Sequence, residues 1–433
     1  MRPARGGLRA RRALTVSAAL AAGCLMLALG AVAPARATPV RLDRLAQPAR
    51  LAQSVQSLEW WFPEWDITTR VWPLSRGAGV TVALLDTGVQ ANLPDIHAAV
   101  EPGADVAGGG GEGWTDNSAP LGHGTGMASL IAGQGVDGGV LGVAPEAKIL
   151  PVVVSNPNTS VGAYTDATLA AGIRYAVGRG AQVINMSLGG STTLASVCDD
   201  VQLQDALAYA LQHNVVLVAA AGNDGQNGNP PDSPASCPGV LAVGAVGPSL
   251  ALWPQSERQP YVAVTAPGAE VVNLAPGGGN NIGNGTSDAA AFVSGAAALI
   301  RARHPSMPWY QVVQRIINTA LPKGGSVPND SYGYGIVRID RALNVAKYKV
   351  LASAPNPVYT AYQGWLASAP GQQFLAGGHP RPRAARTHPV AAPAPSGQPS
   401  AGLIAVIAAA VVVVAGAVAL SIAALRRRRR RYT

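Results

Sequence analysis

Charge is scarce in this sequence. Lys, Arg, Asp and Glu make up 13% of its 433 residues, about half the roughly 25% of an ordinary soluble domain. Cysteine is scarcer still, at three residues, which excludes a small disulfide scaffold. Acidic residues are missing from both ends, for the first is Asp43 and the last Asp340. A net charge of +9 would ordinarily point to a nucleic-acid partner. Its placement excludes one. Six Arg precede residue 37, three stand at 381, 383 and 386, and six form the run Arg426 to Arg431. Residues 38–378 hold 17 basic and 23 acidic residues, a net of −6. Apolar residues make up 48%, too many for a disordered chain.

What is abundant is long apolar sequence at the two ends. Five Arg precede an uncharged stretch from 13 to 33, followed by Ala35-Arg36-Ala37. That order of basic, apolar and small residues predicts a secretory signal peptide over 1–37. At the other end, residues 402–425 carry no charge. As a helix they would extend about 36 Å, enough for a bilayer core of about 30 Å. The Arg run over 426–433 then marks the cytoplasmic side. The expectation is a single-pass type I protein of the cell membrane with its bulk outside. Residues 351–401 are expected to be a Pro-, Ala- and Gly-rich tether that need not pack.

Between these ends, a segment over 38–76 places Trp60, Trp61, Phe62, Trp65 and Trp72 within 13 residues. Beyond Gly77, short apolar runs at 80–85, 149–154, 183–186, 215–220 and 241–246 read as buried strands. Helical patterns cover 164–177, 199–213, 288–304, 307–319 and 340–346. Strands alternating with helices predict one α/β domain over 77–350, a doubly wound, mainly parallel sheet flanked by helices.

Three stretches of this domain carry candidate chemistry. Leu84-Leu85-Asp86-Thr87-Gly88 puts an acid at the carboxyl end of a strand, where α/β sites form. Gly122-His123-Gly124-Thr125-Gly126 sets one of six histidines among glycines that permit close backbone approach. It lacks the Lys-Ser/Thr of a phosphate loop and opens no dinucleotide unit. Gly285-Thr286-Ser287-Asp288 puts a serine at a helix start, where the dipole favours developing negative charge. Each has a bland alternative: a cap, a structural histidine, an N-cap. Together they form a chemical unit. A serine hydroxyl becomes nucleophilic when an imidazole takes its proton, and a carboxylate orients that imidazole. A fourth stretch, Ala219-Ala220-Ala221-Gly222-Asn223, ends a strand with an amide able to donate to an oxyanion.

These four stretches, in the order Asp…His…Ser, resemble the signatures of the subtilases (S8), and the resemblance spans roughly residues 77–346. More narrowly, the chain resembles the mycosins, membrane-anchored subtilases of type VII secretion systems. The order of segments carries that likeness, as does Val71-Trp72-Pro73-Leu74 leading to Gly77-Ala78-Gly79-Val80. The resemblance implies a subtilisin-like fold with Asp86, His123 and Ser287 as catalytic triad and Asn223 as oxyanion donor. It implies that Ser187, Leu188 and Gly189, with Ala220, Ala221 and Gly222, line a cleft for extended peptide segments. It implies a serine endopeptidase acting on secreted proteins beside a type VII membrane complex. The alternative is a mainly structural component of that complex. Two departures stand out: Asp288 follows the serine where subtilases carry an apolar residue, and the usual Pro a few residues on is absent.

After signal removal only Cys198 and Cys237 remain, and an even pair outside the membrane favours a bridge. No dense carboxylate loop marks a metal site. Asp116, Asp137 and Asp232 are read as solvated loop acids, and no cofactor is expected. The Trp-rich segment is expected to pack on the catalytic domain and to stay attached.

Overall fold

The computed structural model describes residues 54–118, 121–155, 164–191, 198–377 and 387–388. The expected signal peptide, transmembrane helix, basic tail and most of the tether lie outside the described residues. Among the described residues no helix is long and apolar enough to cross a membrane.

Seven parallel strands form the central sheet. They are β1 (Thr81–Asp86), β2 (Ala104–Asp105), β3 (Lys148–Val153), β4 (Val183–Met186), β5 (Val216–Ala220), β6 (Leu241–Val246) and β7 (Val262–Pro267), in the spatial order β7-β6-β5-β4-β1-β3-β2. Most of their residues are buried on both faces. That is why they read as apolar runs rather than alternating patterns. β1 lies between β3 and β4, so the winding reverses there, and its carboxyl end carries Asp86. An antiparallel hairpin, β8 (Ala269–Ala275) and β9 (Gly279–Asn284), follows β7.

Besides one-turn helices at Val55–Leu58, Trp61–Glu64 and Pro94–His97, the α-helices of the described residues are α1 (His123–Ala132), α2 (Asp166–Gly178), α3 (Val201–Gln212), α4 (Thr286–Arg303), α5 (Trp309–Asn318), α6 (Ile339–Leu343), α7 (Pro357–Ala367) and α8 (Ala369–Leu375). α4 is buried from Thr286 to Arg301 and packs on α1 and on β4 to β7. Its run of Ala and Gly allows that approach: a Cβ on Gly295 would lie 2.9 Å from Val143 Cβ. Thr165 caps α2 with a reciprocal capping box, and Asp200 caps α3 by accepting from Leu203 N.

Residues 54–76 wrap onto this body. Trp61 and Trp65 are each 1% exposed. Trp65 stacks edge-on against Phe292 of α4, with ring centroids 5.5 Å apart, and its Nε1 donates to the Val337 carbonyl. Trp60 donates to the Glu270 carbonyl at 3.1 Å and Trp72 to that of Val143 at 3.0 Å. Glu59 accepts from Leu141 N at 2.6 Å. Burial lifts its carboxyl to about 8, against the Leu141 hydrogen bond.

The expectation of an unpacked tether over 351–401 fails for its first part. Val358, Tyr362 and Trp365 recur at helical spacing on α7 and are buried against the domain. Trp309 of α5 meets Tyr359 and Tyr362 edge-on at 5.6 and 5.7 Å. Asn356 caps α7 by accepting from Tyr359 N at 3.1 Å. Cys198 and Cys237 are joined in a disulfide.

Candidate active site

The site assembles at the carboxyl ends of β1, β4 and β5. Asp86 is the last residue of β1 and His123 the first of α1. His123 Nδ1 lies 2.8 Å from Asp86 Oδ1. An ionised carboxylate only accepts, so Nδ1 carries a proton, and in the neutral ring Nε2 presents its lone pair. Gly124 makes the approach possible, because a Cβ there would lie 2.1 Å from the Gly88 carbonyl and 3.2 Å from Asp86 Oδ1.

A buried polar web stands behind the pair. Asp116 Oδ1 accepts from Thr87 Oγ1 at 2.8 Å and Ser118 Oγ at 2.6 Å. Its Oδ2 accepts from Thr125 N and Oγ1 at 2.8 and 2.7 Å. Ser118 Oγ in turn accepts from His123 N at 2.7 Å. Asp116 is therefore buried rather than the solvated loop acid expected, and it ties the Thr87 turn to the first turn of α1. Asp232 is likewise buried, at 3% exposure, whereas Asp137 is exposed as expected. The burial of a loop acid depends on partners far along the chain, and local composition does not reveal them.

Electrostatically, burial pulls the His123 pKa down. The Asp86 charge and hydrogen bond, with Asp288 and Asp116 adding, overcome this and raise it to about 9. Asp288 accepts from Asn273 Nδ2 at 3.1 Å. Burial lifts it to about 7, opposed by the His123 charge and by the Asn273 hydrogen bond.

Ser287 is the second residue of α4 and is 7% exposed. Its Oγ donates to the Ser187 carbonyl at 3.1 Å, and Ser187 Oγ donates to the Ser287 carbonyl at 2.8 Å. Among the described residues no hydrogen bond joins Ser287 to His123, so this part of the expected triad is not engaged here. The Asn185 amide fixes Ser187, spanning its hydroxyl at 2.9 Å and that of Ser294 at 2.8 Å. Asn223 Oδ1 accepts from Thr286 N at 2.9 Å and Thr286 Oγ1 at 2.8 Å. With the oxygen so held, Nδ2 is the end of the amide left to donate. Thr286 was not singled out in the sequence, although its place between Gly285 and Ser287 marked it as a helix-start residue.

The expected cleft residues flank Ser287 in part through backbone. Ser187, Leu188, Ala220 and Ala221 are buried at 4% exposure or less. The Ala221 amide donates to Val243 O and that of Gly222 to Thr286 Oγ1, so neither is free for a peptide. Among the described residues no group of three or more His, Cys, Asp or Glu is placed to hold a metal ion.

A scan against family models matches the subtilase family, peptidase S8, over residues 77–335. This chain belongs to the subtilase family. Subtilisin E of Bacillus subtilis (strain 168) is 36% identical over 271 residues, covering 61% of this chain and 66% of the relative. Mycosin-1 of Mycolicibacterium smegmatis (strain ATCC 700084 / mc(2)155) is 34% identical over 310 residues, 61% of this chain and 68% of the relative. This subtilase spans 42% of fervidolysin from Fervidobacterium pennivorans, at 32% identity over 308 residues and 64% of its own length. Among solved structures, the MycP3 protease from the type VII (ESX-3) secretion system superposes with a TM-score of 0.56 at 35% identity, over 65% of this chain and 87% of that one. The subtilase fold, an α/β unit with a mainly parallel sheet and flanking helices, is therefore shared with mycosins.

Proposed function

We propose that this chain is a serine endopeptidase of mycosin type, with Asp86, His123 and Ser287 as catalytic triad and Asn223 as oxyanion donor. The observation that carries the reading is the 2.8 Å His123–Asp86 contact at the sheet's winding reversal, beside a serine at the head of the central helix. Ser287 Oγ leaves the Ser187 carbonyl by rotation about its Cα–Cβ bond and gives its proton to His123 Nε2. The oxygen adds to the scissile carbonyl carbon and Asn223 Nδ2 receives the oxyanion. The His123 proton then passes to the departing amine, and water repeats the sequence to free the enzyme. The membrane anchor at 402–425, the extracytoplasmic placement of the domain and a role in processing proteins of a type VII secretion system belong to this proposal. They are supported by the sequence order and by the mycosin likeness. The packing of Trp61 and Trp65 supports an N-terminal extension that stays attached.

The test is labelling of the purified protein with a fluorophosphonate beside the Ser287→Ala variant. Labelling of the wild type alone supports the reading, and an unlabelled wild type overturns it. Secretion that survives Ser287→Ala but fails on deletion of the whole protein would favour the structural role instead.

A further inference from the structure

Two strand ends bracket Ser287. β4 and β5 are paired from Val183↔Val216 to Met186↔Ala219, and beyond them the chain continues as 187–189 and 220–222. Ser187 holds Ser287 by two hydrogen bonds, while Gly222 and Asn223 hold Thr286. On the proposed roles, a scissile carbonyl with its carbon at Ser287 and its oxygen at Asn223 would set the side chain on its N-terminal side beside these segments.

Against a glycine of each segment stands a carboxylate. A Cβ on Gly189 would lie 2.3 Å from Asp232 Oδ2. A Cβ on Gly222, whose φ is +117°, would lie 2.3 Å from Glu257 Cδ. Tyr261 joins the two acids, its hydroxyl 3.1 Å from Glu257 Oε2 and accepting from Asp232 N at 2.8 Å. Asp232 is 3% exposed and Glu257 fully buried. Among the described residues, Asp232 Oδ1 and Glu257 Oε1 have no hydrogen-bond partner, and neither acid has a salt bridge to a base. Backbone amides of Ser233 and Gly190 donate to Asp232, and Tyr261 and the Asp224 backbone to Glu257, yet one oxygen of each acid stays unpartnered and no base balances their charge, which is costly for buried acids. Burial first, and then Glu257, raise Asp232 well above the usual range; burial lifts Glu257 to about 8.

We propose that Asp232 and Glu257 floor the pocket for the residue N-terminal to the cleaved bond, and that they select lysine or arginine there. This rests on the serine-protease reading above. A side-chain ammonium or guanidinium entering between Gly189 and Gly222 supplies the charge partner that the two orphaned oxygens lack.

The experiment uses the purified full chain and fluorogenic peptides that differ only in the residue before the leaving group: Lys, Arg, Gln, Leu or Ala. The expected kcat/KM for Lys and Arg exceeds that for Gln, Leu and Ala by at least tenfold. Asp232→Asn cuts the Lys-to-Leu ratio at least tenfold, and Glu257→Gln cuts it less, in the same direction. Fluorophosphonate labelling of each variant checks that its site is folded. A wild type that labels but cleaves the Leu or Ala peptide as fast as the Lys peptide overturns the inference and leaves the protease reading standing. A Lys preference that survives in folded forms of both variants also overturns it. A wild type that neither labels nor cleaves any peptide overturns both readings.

Discussion

Asn223→Ala should lower kcat by 10²–10³ while leaving KM within about threefold. The structure explains both numbers. The Asn223 oxygen is fixed by two bonds from Thr286, at 2.9 and 2.8 Å, so the amide nitrogen, the proposed oxyanion donor, is held in place before substrate arrives. Such a donor acts on charge that exists only in the transition state, and losing one removes about 2.7–4 kcal/mol of its stabilisation. At about 1.36 kcal/mol per tenfold, that is the stated range in rate. Thr286→Val removes one of the two bonds that aim the amide. A net loss of about 1 kcal/mol for that bond corresponds to roughly fivefold in kcat. Asn223→Asp keeps both acceptor bonds, replaces the donor by an oxygen and sets a negative charge facing the oxyanion, so it should fall below the alanine variant. The assay is steady-state turnover of a fluorogenic peptide, with kcat and KM separated, and melting curves to show that all three variants fold. An alanine variant keeping more than a third of the wild-type kcat would refute the reasoning.

Four further outcomes can be checked. Because the proposed base His123 can take a proton only when neutral and sits at about 9, kcat/KM should rise with pH towards about 9; Asp288→Asn, removing one of the charges that hold it up, should move that limb to lower pH, and an unmoved limb would contradict the assignment. The same raised pKa means that the His123–Asp86 pair adds stability that is complete below about 6.5 and lost as pH climbs through about 9, which thermal melts against pH would show as a falling slope. Glu59 keeps its proton in the folded state up to about 8 while the unfolded chain loses it near its ordinary value, so the stability it withholds grows between the two. Glu59→Gln, which keeps the acceptor for Leu141 N, should melt above the wild type at pH 8 and level with it near pH 4. Replacing both Cys198 and Cys237 by Ala opens a loop of 39 residues' separation and should cost about 4 kcal/mol at most, a fall in Tm of roughly 6 °C for a domain of this size by calorimetry.

What was legible in the sequence is what the sheet buries on both faces. β4 and β6 coincide with the expected runs at 183–186 and 241–246, and β1 and β3 are displaced by a single residue. Apolar runs between turn signals leave a buried strand little freedom. β9 was not legible. Gly279–Asn284 holds a single large apolar residue, Ile282, and is a strand because β8 pairs with it. α7 was hidden by composition: Pro, Ala and Gly around it read as tether, while Val358, Tyr362 and Trp365 already marked one face. At the site, Asp86 and His123 were legible because their motifs are local. The web of Thr87, Asp116, Ser118 and Thr125 was not, since its bonds cross turns that no periodicity describes.

The bond from Trp65 to the Val337 carbonyl spans 272 residues. At about 5–20 residues per second of synthesis, Trp65 is made roughly 14 to 54 s before its acceptor. Through that interval the aromatic cluster of 60–72 has no finished surface to cover. The earliest part of the domain to be made is thus among the last to lock, and final closure of the fold waits on chain made after the proposed nucleophile.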